Sequence, residues 1–127
     1  MIDETMVKDL PSLPVYTKRK FLIHIGIDAL SDNDYRYAKI ERLITKLSDF
    51  GMDDTFFGGN VAVIAKLKDK SHYLLVNRLH QTIGICVRMD ELENLNRKDL
   101  AKWAEWHHIE VGSKDSKEDI IKKLQAL

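Results

Sequence analysis

Residues 96–127 read NRKDLAKWAEWHHIEVGSKDSKEDIIKKLQAL. Asn96 is placed to cap a helix, and Leu100, Trp103, Ala104 and His107 follow at helical spacing, with Lys98, Lys102 and Glu105 between them. The period breaks at residues 108–112: Ile109 and Val111 alternate with Glu110, and Gly112 supplies a turn. Ser116 then caps a second helix. Asp119, three residues on, forms a short-armed capping box and favours the positive end of the helix dipole. Ile120, Ile121 and Leu124 make the buried face, while Lys117, Lys122 and Lys123 stay in water. Two helices this short cannot each bury a stripe alone, so they must pack on each other and on their connector.

The run Asp99-Leu100-Ala101-Lys102-Trp103-Ala104, then His107-His108-Ile109-Glu110-Val111, then Ser116-Lys117-Glu118-Asp119-Ile120-Ile121-Lys122-Lys123-Leu124 resembles the helix–extended loop–helix group. That group includes SAP domains, LEM domains and the small N-terminal domain of the Rho terminator. The resemblance covers about a quarter of the chain. It implies a module that contacts nucleic acid or, in some members, protein, through the start of its second helix. There the backbone amides of Ser116 to Asp119 would face outward, a geometry suited to phosphate. Lys114 and Lys117 would add charge, with Lys98 and Lys123 on the flanks. Against that, this stretch holds seven Lys/Arg and six Asp/Glu, a net of +1, and Asp115, Glu118 and Asp119 stand in or beside the contact. The competing reading makes the lysines a solvated face and the module a protein-docking unit.

The rest of the chain bounds these alternatives. Its 127 residues hold one ordinary domain, or a small domain plus a mini-module. Lys and Arg total 20, Asp and Glu total 20, so any attraction to nucleic acid must come from a local patch. The single cysteine, Cys86, excludes an intrachain disulfide and a cysteine metal cluster, which fits a reducing, cytoplasmic setting. No apolar run approaches membrane-spanning length, and the acidic start argues against a secretory leader.

Residues 1–17 read as an extended arm around Pro11 and Pro14, laid on the core or held out to a partner. Lys18-Arg19-Lys20 precedes a strand at residues 21–27, apolar nearly throughout and therefore buried on both faces, with His24 in or beside the core. Ser31 and Asp32 are caps for a helix running to about Asp49, with Tyr37, Ile40, Leu43, Ile44 and Leu47 as its buried stripe and Gly51 as its left-handed terminator. Residues 52–60 form a loop in which Phe56 and Phe57 either pack inward or offer an aromatic surface. Asp53-Asp54 is too sparse for a calcium loop.

Three strands follow, at residues 61–67, 72–76 and 82–87, joined by short polar turns as an antiparallel meander. Gly84 inside the last marks a bulge or a close approach. Residues 61–88 carry five Lys/Arg against one acid, so Lys66, Lys68, Lys70, Arg78 and Arg88 form a candidate basic edge beside Tyr73, suited to nucleic acid, unless the lysines merely guard sheet edges. Residues 89–95 are an acidic, helical linker.

Enzymatic chemistry finds little. His80-Gln81-Thr82-Ile83 matches the His-x-Thr-apolar pattern of two-histidine phosphoesterases, but His24-Ile25-Gly26-Ile27 lacks the hydroxyl. Adjacent His107 and His108 diverge on a helix and are poorly placed for one metal.

The expected fold is thus α+β. A small antiparallel sheet of about four strands is covered by one long helix (residues 1–95), and a SAP-like two-helix module follows (residues 96–127). The expected function is a non-enzymatic accessory or regulatory protein that binds DNA or RNA. Its contacts are Lys98, Lys114, Ser116, Lys117 and Lys123 in the module and Lys66, Lys68, Lys70 and Arg78 on the sheet. The alternative is an adaptor or inhibitor that docks on a partner protein, such as a nucleic-acid-processing enzyme. A two-histidine phosphoesterase is the remote third. No metal, small-molecule cofactor or membrane partner is called for.

Overall fold

The strand at the centre of the expectation, Phe21–Ile25, is buried at every position. A strand apolar on both sides needs cover on both faces of its sheet, and the architecture supplies it. A computed structural model describes residues 15–18, 20–26, 39–53, 55–68 and 71–127. Its elements are β1 (Val15–Lys18), β2 (Phe21–Ile25), β3 (Ile40–Ile44), β4 (Val63–Leu67), β5 (Tyr73–Val76), β6 (Thr82–Arg88), α1 (Arg97–Trp106) and α2 (Lys117–Gln125), with 3-10 turns at Leu47–Phe50 and Met89–Asn94. The strands form one antiparallel sheet in the order β1-β2-β6-β5-β4-β3.

One face of the sheet carries Phe21, Ile23, Ile64, Tyr73, Leu75 and Cys86, covered by Leu47, Phe50, Met52, Phe56 and Phe57 from the segment between β3 and β4. The opposite face carries Leu22, Ala65, Leu67, Leu74, Ile85 and Val87, covered by Leu92, Leu95, Leu100, Trp103, Ala104, Ile120 and Leu124. The helix pair is therefore packed on the sheet and shares a core with it. Phe56 and Phe57 take the inward option. Asp53 Oδ1 accepts from the Thr55 amide and hydroxyl and turns the chain ahead of them.

The fold departs from the four-strand, one-long-helix expectation in a specific way. Among the described residues the sheet has six strands. Ile40–Ile44, read as the heart of the covering helix, is an edge strand on β4, and Leu47–Phe50 is a 3-10 turn. Residues 31–38 of the expected helix, and the arm at 1–14, lie outside the described residues. The misreading has a physical cause. Ile40 pairs with Leu67 and Arg42 with Lys66, so Glu41 is an extra residue bulged out of the ladder. The bulge shifts the phase of the strand by one. Ile40 and Leu43, three apart, end on the same side of the sheet, which is also what a helix does with residues three apart. Backbone pairing with the edge of β4 outweighs the weak local preference for helix. The stripe is not buried as a covering helix would require: Ile40 is 47% and Leu43 59% exposed. Gly51 does take the left-handed conformation (φ 89), ending the 3-10 turn.

Gly84 marks a close approach. A Cβ there would stand 2.6 Å from the His24 carbonyl oxygen of β2, and the β5–β6 ladder slips just beyond, between Leu75 and Val76. Among the described residues no helix is long and apolar enough to cross a membrane.

Candidate functional site

The C-terminal pair forms where the caps place it. The Asn96 side chain accepts from the Asp99 amide at 2.8 Å to start α1. Ser116 and Asp119 exchange both bonds of a capping box to start α2. Between them, His108 takes a left-handed φ of 59 and the Ile109 amide closes back on the Ala104 carbonyl at 2.8 Å, turning the chain out of α1. Ile109 and Val111 lean on the core below while Glu110 faces water, the alternation of an extended connector.

Three side chains then pin this connector. Arg97 donates from Nε to the Asp115 carbonyl at 2.9 Å and from Nη2 to the Gly112 carbonyl at 3.0 Å. Asp115 accepts from the Gly112 amide and from Lys123 Nζ, both at 2.8 Å, and Lys123 also donates to the Glu110 carbonyl at 2.9 Å. The Lys123 bond, with the Gly112 amide second, holds the Asp115 carboxyl below its ordinary range. Lys117 Nζ reaches the Glu93 carbonyl in the turn before α1. The first turns of both helices are thus tied together on one side of the module.

This geometry sorts the predicted contacts. Lys98 and Lys114 are exposed. Ser116 is exposed, but its amide and hydroxyl serve the capping box. Lys117 and Lys123 are engaged by the module's own carbonyl oxygens and by Asp115. On the sheet, Lys66 pairs with Glu41 at 3.6 Å. Lys68 lies in the β4–β5 turn and Arg78 in the β5–β6 turn, at opposite ends of β5, and Lys70 falls outside the described residues. Arg88 is held by Asp90 at 3.0 Å and by the Phe50 carbonyl at 3.2 Å. The described residues of the meander therefore do not line up as one basic edge.

The two histidines of the phosphoesterase reading sit in different settings. His80 sits at the exposed tip of the β5–β6 turn with φ 61, while His24 is buried with the Trp106 ring 4.3 Å away. Burial first, then the neighbouring His24 and His108, lowers His107 to about 4. Among the described residues no three His, Cys, Asp or Glu side chains gather as a metal site.

What the sequence reading missed is the groove between α1 and the connector, with a volume of about 710 Å³. Its floor takes Ala101, Ile109 and Val111, and its rim takes Glu105, Glu110 and Arg97. Two signals pointed to it. Arg97 directly follows the cap, within reach of the connector, and the three-residue spacing of Gly112 and Asp115 is that of a side-chain-closed turn. No protein-family model, curated protein or solved structure matches this chain.

Proposed function

We propose that the protein is a non-enzymatic adaptor whose C-terminal helix pair docks on a partner protein, taking an extended, lysine- or arginine-bearing segment into the groove between α1 and its connector. The observation that carries this reading is how the module spends its cations. Lys117, Lys123 and Arg97 are turned inward onto carbonyl oxygens, while the groove beside them keeps an apolar floor and exposed Glu105 and Glu110 on its rim. A groove with an apolar floor between a helix and an extended connector can seat the alternate side chains of an extended segment. Two glutamates against one arginine leave the rim net acidic, which favours a basic segment over an acidic one. This reading keeps the resemblance to helix–extended loop–helix modules, some of which bind protein.

Nucleic acid is the second reading. It is supported by the meeting of two helix N-termini beside exposed Lys98 and Lys114. Two lysines neutralise about two phosphates, so duplex binding would weaken with salt at a log–log slope of about −2, far short of a strong binder.

One experiment separates them. A library of displayed peptides is selected on the full chain and on a Glu105→Lys/Glu110→Lys variant, alongside mobility shifts with single-stranded DNA, duplex DNA and RNA at two salt concentrations. The docking reading expects basic–apolar peptides enriched on the native chain and lost on the variant. Peptide selection without such a consensus, together with salt-sensitive nucleic-acid shifts weakened by Lys98→Ala and Lys114→Ala, overturns it in favour of the second reading.

A further inference from the structure

β3 ends the sheet, so among the described residues its outer backbone edge pairs with nothing. Edge strands normally guard themselves with charges, above all lysine, with bulges and with short length. β3 is short and bulged, but its two charges are of opposite sign. Its sequence is Ile40-Glu41-Arg42-Leu43-Ile44, an acid and a base side by side between apolar residues. An antiparallel strand of the same sequence, centred between residues 41 and 42, would set Glu41 opposite Arg42 twice and Ile40 opposite Leu43 twice. The edge is complementary to itself.

The bulge makes the faces agree. Ile40 pairs with Leu67 and Leu43 with Ala65, both on the helix-covered face, so the two exposed apolar side chains point the same way. Arg42 lies opposite Lys66, a like-charge cross-strand pair, and it makes no ion pair among the described residues, because Lys66 already pairs with Glu41. A second copy's Glu41 would answer Arg42. The same two-fold would gather Ile40 and Leu43 of both copies into one apolar cluster.

We infer that β3 is a self-association edge, through which two copies of the chain join their sheets by antiparallel β3–β3 pairing. An isologous contact needs one self-complementary patch, which this strand provides. Five residues a side bury less than the about 1,200 Å² of stable interfaces, so the dimer is weak.

The test is sedimentation equilibrium of the full chain over about 5–300 µM. Three variants are run with the native chain: Glu41→Arg, Arg42→Glu and the double exchange, each checked for native far-UV circular dichroism. Each single reversal sets like charges opposite one another at two symmetric places and should weaken the dimer by about tenfold or more. The double exchange restores opposite charges and should restore the dimer, although it removes the Glu41–Lys66 pair as Glu41→Arg does. A native chain that stays monomeric throughout overturns the inference. So does a dimer indifferent to the single reversals, or one that the double exchange fails to recover.

Discussion

Trp103→Phe should cost about 3 kcal/mol and should destabilise sheet and helices together. Trp103 is 1% exposed in the core shared by α1, α2 and the helix-side face of the sheet. Its Nε1 donates to His72 Nε2 at 3.2 Å, and its ring meets the Trp106 ring edge-on at 4.9 Å. Phenylalanine has no donor for that buried nitrogen, a loss of about 1–3 kcal/mol. The smaller ring also leaves space that the surrounding core fills only in part, for about 1 kcal/mol more. With a urea slope of about 1.5 kcal/mol per molar, the midpoint should fall by about 2 M at unchanged slope. The chain has two tryptophans, so in the variant Trp106 alone reports the helix pair, through its contact with His24, while far-UV circular dichroism reports the whole chain. The two curves should coincide, because the helices and the sheet bury one another's residues. If Trp106 fluorescence changes in an earlier, separate transition, the shared core does not couple the two parts. A midpoint shift below about 0.5 M would show that the indole–imidazole bond carries little.

Gly84→Ala places a methyl 2.6 Å from the His24 carbonyl, which cannot yield without parting β2 from β6. A thermal melt should drop by about 10 °C, corresponding to about 2–3 kcal/mol at this chain length, and a fall of under about 2 °C would refute the close approach. His107 gives a pH dependence. Its folded value of about 4 lies below the ordinary 6.5, so between them the unfolded chain binds a proton that the folded chain does not. Stability should therefore be full above pH 6.5 and decline as pH falls towards 4. The decline should be about 1–2 kcal/mol for a group only half shielded. Urea titrations across that window should show this slope flattened in His107→Gln, and an equal slope in the variant would reject the assignment.

The elements legible in the sequence were those whose signals are local. Asn96 and Ser116 announce helix starts through bonds to amides three residues on, and both are made. The meander follows from apolar runs divided by polar turns, and the burial of β2 on both faces follows from its unbroken apolar run. β3 was not legible, because its identity depends on the exposed edge of β4 and on a bulge that counterfeits a helical period. The cover over the other face was misassigned for the same reason. The aromatic segment around Phe50, Phe56 and Phe57 does the work given to a long helix, and nothing periodic marks it.

The candidate site was half legible, and the missing half changes its chemistry. Counting lysines along residues 96–127 treats each as a charge free to meet an outside anion. In the folded chain Arg97, Lys117 and Lys123 reach carbonyl oxygens left over by the bends of the connector and of the turn before α1, and Lys123 reaches the Asp115 carboxylate as well. A connector outside regular structure must satisfy its carbonyls somewhere, and long basic side chains from the neighbouring helices reach them first. Lys123, one of the cations that suggest a phosphate site, thus holds the connector together with Arg97, and that connector forms one wall of the groove. That ordering predicts opposite consequences for two kinds of variant. Removing Lys98 or Lys114 leaves the groove intact. Removing Arg97 or Asp115 frees the connector and blunts peptide capture, although Arg97 lies only on the rim of the groove and Asp115 does not line it.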